Sequence, residues 1–220
     1  MGRNVGFEKY AQNKPMDGPI SDDFIKIINP IFSRRTVDDK LLDFGCGDGK
    51  FFSLFVKYFT KENIFGVDVS RIRIGRCQKR GWKNSYLIKY NEKTSFADNF
   101  FDYINMNQVI EHIPYGQIDF WLAEISRVLK PDGFLILTTP NYPVKRIYDI
   151  VGALINFKWS QLFDDPTHVS FYNFSKVSRL MKRYFDGVLI KPSGGRLFSI
   201  FKNNFFSHKI IVLCSKKKKL

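Results

Sequence analysis

The segment Leu41-Leu42-Asp43-Phe44-Gly45-Cys46-Gly47-Asp48-Gly49-Lys50-Phe51 constrains this chain more than any other. An apolar run ends in an acid, glycines follow at alternate positions, and an apolar stretch with helix-like spacing comes next. That order reads as strand, tight turn and helix N-terminus. Glycines let the backbone bend sharply there and let a ligand come close without a Cβ in the way. Such turns lie beyond the carboxyl ends of open α/β sheets, where nucleotide-like ligands bind. A dinucleotide fingerprint, G-x-G-x-x-G, seats a pyrophosphate on the helix N-terminus. Counted from Gly45, its third glycine would fall on Lys50. The chain instead has G-x-G-x-G preceded by Asp43. A carboxylate at that strand end repels a pyrophosphate and suits a ligand that carries an ammonium group.

Three further segments follow in order. Asn63-Ile64-Phe65-Gly66-Val67-Asp68-Val69-Ser70 is a second strand ending in an acid, 25 residues after Asp43. An acid there accepts hydrogen bonds from ribose hydroxyls, and Ser70 suits the cap of the next helix. Ser95 to Ile113 contains Phe96, Asp98, the pair Phe101-Asp102 and the pair Glu111-His112. Ile125 to Asn141 contains Arg127-Val128-Leu129-Lys130-Pro131-Asp132-Gly133, a helix end followed by a tight bend.

Taken together these segments resemble the class I S-adenosylmethionine (SAM)-dependent methyltransferase superfamily, over roughly residues 38 to 141. The first resembles that family's glycine-rich motif. The third resembles its "PF-x-D-x-x-FD … EH" region, with Ser95 in place of the proline. The fourth resembles its "R-V-L-K-P-G-G" turn, with Asp132 in the first glycine place. The resemblance implies SAM as cofactor. It also implies an α/β fold, with a doubly wound, mostly parallel seven-stranded sheet in the order 3-2-1-4-5-7-6, helices on both faces and an antiparallel last strand. On this reading Asp43, Gly45, Cys46 through its backbone, Gly47 and Gly49 hold the methionine end, and Asp68 holds the ribose. Adenine falls to Tyr90, Asn91 or Glu92, with Asn91 expected to accept from the amino group. Backbone groups around Asn107 and Gln108 are expected to pack on the ring or the methionine moiety.

Methyl transfer to a hydroxyl usually wants a general base, and two histidines are candidates. His112 follows Glu111 just after the fourth strand. His168 lies in Asp165-Pro166-Thr167-His168, which resembles an element of methyltransferases acting on sugars or sugar-linked lipids. His208 is expected at the surface. Some quinone-pathway O-methyltransferases carry E-x-x-E-H at the Gln108–His112 position and use it on a divalent cation. Here the first acid is Gln108, a neutral amide, which weakens a hard-cation site, so no metal is expected.

At 220 residues, with 44% hydrophobic and 16% aromatic content, the chain suits a single domain with an ample core. Residues 1 to 36 are expected to form an N-terminal arm and helix: an irregular stretch to about residue 20, with Tyr10 its best candidate for contact with SAM or substrate, then a helix capped by Ser21. A helix is expected over 49 to 60. Residues 141 to 172, rich in aromatics such as Tyr142, Tyr148, Trp159 and Phe163, read as a substrate cap, with a surface-lying amphipathic helix as the rival reading. Three dispersed cysteines suit a reducing cytosol and argue against a disulfide scaffold, and the expected location is cytoplasmic. The net charge of +14 draws phosphates. Its scattered basic residues argue against nucleic acid and leave peripheral membrane contact open, and the Lys216–Lys219 run reads as a solvated tail. The expected reaction moves a methyl group to an oxygen or nitrogen of a small or glycan- or lipid-linked saccharide acceptor. The alternatives are O-methylation of a quinone-like or aromatic metabolite, and a non-catalytic SAM-fold module that binds RNA or a membrane surface.

Overall fold

A computed structural model of the chain describes residues 2–13, 18–157, 165–194 and 207–218. Strands β1 (Leu41–Phe44), β2 (Ile64–Asp68), β3 (Ser85–Leu87), β4 (Phe101–Asn107), β5 (Leu129–Pro140), β6 (Phe185–Ser193) and β7 (Lys209–Lys217) form one sheet in the order β3-β2-β1-β4-β5-β7-β6. β1 to β5 pair in parallel, and β7 runs antiparallel between β5 and β6. The strands are apolar runs because both faces are covered. On one face, α5 (Tyr115–Val128) and α7 (Phe174–Met181) bury Trp121, Leu122, Ile125, Val177 and Met181. On the other, α2 (Asp22–Phe32) packs Phe24, Ile28 and Phe32 against Phe51, Phe55 and Trp82. Among the described residues the phenylalanines therefore serve mainly the core.

Local chemistry explains most boundaries. Ser21 caps α2, accepting from the Phe24 amide at 3.4 Å, and Asp22 and Asp23 favour its positive end. Ser70 caps α4 (Arg71–Lys79) in the same way, through Arg73. Elsewhere the structure departs from expectation. The helix expected over 49–60 shrinks to α3 (Phe52–Phe55). Amides of Phe52, Leu54, Lys57 and Tyr58 bond three residues back, which tightens the turns while Phe51, Phe55 and Phe59 pack inward. The Lys130–Gly133 bend lies within β5: the chain advances from Leu129 to Phe134 while β4 advances only from Phe101 to Tyr103, a large bulge. The N-terminal arm is not irregular but helical, α1 (Gly2–Asn13). The lysine run is not a free tail, since β7 reaches Lys217, whose ammonium bonds the carbonyls of Ser126 and Leu129. Lys219 lies outside the described residues.

Within the expected cap, α6 (Val144–Asn156) leaves the carboxyl end of β5 through Pro143. Trp159 and Phe163 lie outside the described residues. Cys46, Cys77 and Cys214 are buried free thiols, and no described helix is long and apolar enough to cross a membrane.

Candidate active site

A cavity of about 290 Å³ opens at the carboxyl ends of β1, β2 and β4. Gly45, at the end of β1, forms part of its wall. A Cβ there would stand 2.4 Å from Val109 Cγ2, and the backbone has φ +76°, so only glycine fits without displacement. The turn spends its own amides internally. Gly45 and Cys46 both donate to the Val67 carbonyl, and Gly47 donates to Asp68 Oδ2 at 2.9 Å. The glycines thus give the cavity its shape, not a set of outward N–H groups.

Asp68 ends β2 in the cavity wall. Its Oδ1 accepts from the Ser70 amide at 2.8 Å, and its Oδ2 accepts from Gly47. Burial raises its pKa, with the two amides opposing. A carboxylate offers about four lone-pair sites, so acceptor capacity remains for a ribose. Asp43 sits beneath the turn, 1% exposed, with Asn105 Nδ2 donating to its Oδ1 at 2.6 Å. Burial lifts its pKa to about 7, with the Asn105 bond opposing and Asp68 adding to the rise. It is not among the residues that line the cavity. Gly49 also turns away, lining a separate cavity of about 690 Å³ with Lys57, Arg80 and Trp82. Cys46 and Gly47 are likewise absent from the first cavity's wall.

Of the three adenine candidates, Tyr90 lines the cavity and Asn91 does not. Asn91 is exposed, in a turn at φ 61°, and it is Ile88 and Tyr90 that line the cavity. β3 ends at Leu87, so the wall register falls earlier than the sequence reading placed it. Gln108 lines the cavity and donates from Nε2 to Thr138 Oγ1. Asn107 lies instead in a neighbouring cavity of about 60 Å³, together with Gln108, Lys50, Thr138, Ser193 and Lys209. Burial and then Lys209 lower the Lys50 pKa, and neither lysine has an ion-pair partner among the described residues. An acid lies close by: Asp23 is committed to Ser193 Oγ and the Gly194 amide.

The two candidate histidines meet in the main cavity, with ring centroids 4.9 Å apart. His112 sits in the single turn Ile110–His112 after β4. Its Nδ1 lies 3.1 Å from the Thr167 carbonyl, which can only accept, so Nδ1 carries the proton and Nε2 the lone pair. Burial, then His168, lowers its pKa to about 4, keeping the ring neutral at pH 7. His168 Nδ1 lies 2.6 Å from the Tyr142 hydroxyl. Asp165 fixes this loop: it accepts from Thr167 Oγ1 at 2.6 Å and from Tyr10 Oη at 2.5 Å. Burial works to raise the Asp165 pKa, but these bonds outweigh it and hold it at about 2. Tyr10 lines the cavity, and Glu8 on the same helix accepts from Ser70 Oγ and the Arg71 amide at the start of α4. The α1 helix therefore closes one side of the cavity. His208, expected at the surface, is half-buried with a lowered pKa.

Glu111 completes the cluster. Its carboxylate and the two imidazoles offer ligand atoms within 4.8 Å of one another, so these are the described residues able to hold a metal ion. Local spacing did not show this, because His168 arrives from a distant loop. Thr139 Oγ1 donates to Glu111 Oε2 at 3.2 Å, and Oε1 has no hydrogen-bond partner among the described residues. Burial lifts the Glu111 pKa to about 8. The folded chain then holds a proton there that the unfolded chain releases above pH 4.5. This stabilisation is present below pH 4.5 and disappears as pH rises through about 8, up to about 5 kcal/mol in all. Glu111→Gln is expected to lose less melting temperature than wild type between pH 5 and pH 9 when unfolding is followed without ligand. Equal losses would show that Glu111 ionises normally.

A family model described as "Methyltransferase domain" matches residues 16–184. The chain belongs to that methyltransferase domain family. SAM is its cofactor, and methyl transfer is the domain's chemistry. A ubiquinone biosynthesis O-methyltransferase of Pelagibacter ubique is 29% identical over 174 residues, covering 76% of this chain and 68% of that protein. A fatty-acid O-methyltransferase of Mycolicibacterium smegmatis is 26% identical over 61% of this chain and 53% of its own length, so the chain spans about half of that relative. Phosphoethanolamine N-methyltransferase 2 of Haemonchus contortus, solved with S-adenosyl-L-methionine, shares the fold with a TM-score of 0.63 at 15% identity, over 98% of this chain and 57% of that one.

Proposed function

We propose that this domain methylates an oxygen atom of a small acceptor whose body is apolar or lipid-borne. The observation that carries this reading is the pairing of His112 and His168 in the same wall as Gly45 and Asp68. Phe44, Val109, Ile113 and Trp121 supply the apolar lining. SAM, when bound, supplies a methyl group already activated on a sulfonium. Asp68 would hold its ribose, Ile88 and Tyr90 would flank its adenine, and Gly45 would admit its methionine chain. The protein's remaining work is alignment, exclusion of water and removal of one proton. With Nδ1–H donating to the Tyr142 oxygen, His168 Nε2 takes the acceptor hydroxyl proton as the new O–CH₃ bond forms and the S–CH₃ bond breaks. His112, neutral and anchored on Thr167, orients the hydroxyl. A lipid-linked saccharide satisfies both the apolar lining and the Asp165–His168 element, and the names of the quinone and fatty-acid relatives support a lipid-like body.

Incubating the protein with methyl-labelled SAM and fractionated cell extract tests the reading. Label is expected in an organic-phase product bearing a methyl ether or ester. Label confined to protein, RNA or amines would refute it.

The small cavity beside Gln108 is assigned to the methionine carboxylate, because Lys50 and Lys209 converge there without an ion pair among the described residues. Lys50→Met is expected to weaken S-adenosylhomocysteine by about tenfold, the worth of one charged hydrogen bond. Methylthioadenosine, which lacks the carboxylate, is expected to bind as to wild type. Equal weakening of both compounds in calorimetry would remove the assignment.

A further inference from the structure

The α6 helix presents its richer apolar side outward. Val144 and Ala153 face the protein and are buried, whereas Ile147, Ile150, Val151, Leu154, Ile155 and Phe157 are 39–79% exposed. Their spacing puts the helical ones on a single stripe. This surface continues toward the active site. Tyr142, two residues before the helix, packs on Phe171 with ring centroids 4.7 Å apart and bonds His168. Val169 and Phe171 are each 42% exposed beside it.

We infer that α6 docks the protein on an anionic lipid bilayer, with the cavity mouth at the membrane surface. The stripe is one helix wide, far narrower than the area a stable protein partner requires, whereas a bilayer accepts such a stripe without shape complementarity. The chain's net charge of +14 complements anionic headgroups. The stripe residues are all apolar, and Lys145 and Arg146 at the helix start pair with Asp149. The inference rests on the lipid-borne acceptor reading and deepens it: a bilayer-embedded acceptor would reach His168 without crossing water.

Co-sedimentation tests it, using phosphatidylcholine vesicles with and without phosphatidylglycerol. Wild type is expected to pellet with the anionic vesicles and to release as salt rises. Ile150→Glu combined with Leu154→Glu is expected to lower partitioning at least about tenfold, with melting temperature and SAM affinity unchanged. The single variant Ile155→Glu, at the most exposed helical position, gives a second and milder case. Absence of vesicle binding, or equal binding by the variants, would overturn the inference. So would a wild-type dimer in light scattering that the double variant dissolves, because the stripe would then serve a second copy. Anionic vesicle binding that the variants lose supports the docking surface even if no label enters lipid extract, an outcome that refutes only the acceptor reading.

Discussion

Turnover of His168→Ala on the acceptor identified by label transfer is expected to fall by about 10²–10⁴-fold, the range for loss of a positioned general base. SAM affinity is expected to stay near wild type, because the proposal gives His168 to the acceptor and Asp68 to the cofactor. The neighbouring bonds separate this role from a structural one. His168 receives its orientation from the Tyr142 hydroxyl at 2.6 Å, while its loop is tied down independently by Asp165 and Thr167. Tyr142→Phe should therefore reduce turnover less than His168→Ala, since the ring stays and only its orienting bond is lost. A His168→Ala variant that loses SAM affinity and melting temperature in proportion to turnover would show that the ring only supports the loop.

Much of this site was legible in the chain before folding, and the reasons are local. Strand ends marked by Asp43 and Asp68 are readable because apolar runs and terminal acids are contiguous in sequence. Ser21, Ser70 and Asn173 cap helices through bonds that span three residues. What local patterns do not carry is which side of a turn faces a ligand. Asp43 and Gly49 belong to the glycine motif, yet one is buried against Asn105 and the other turns toward Trp82. Asn91 missed the cavity because β3 stops early, a length set by pairing with β2 and not by propensity. The α1 helix has no amphipathic signal; it is held by tertiary bonds from Glu8 and Tyr10 to distant residues. The meeting of His112 and His168 joins loops after different strands, a contact that only the sheet order creates. Glu111 is an ordinary acid in sequence and becomes unusual only once burial removes water from it.

Asp68→Ala is expected to weaken SAM and S-adenosylhomocysteine by one to two orders of magnitude, equivalent to about 1.5–3 kcal/mol for hydrogen bonds to a charged group. Two effects combine. The ribose loses its acceptor, and the Gly47 and Ser70 amides lose theirs, so the turn and the start of α4 relax together. Asp68→Asn separates them. Its side-chain oxygen can still accept from one amide, but its NH₂ would face the other amide and the charge is gone. The asparagine variant should thus recover part of the melting temperature and little of the affinity. The alanine variant should also leave acceptor selectivity unchanged, because His112, His168 and the apolar lining are untouched. Wild-type affinity for Asp68→Ala in a calorimetric titration would mean that the ribose does not sit at the end of β2. The cavity beside Gly45 would then have to hold the nucleoside in another orientation, and the order of groups from Tyr90 through Asp68 to His168 would lose its chemical meaning.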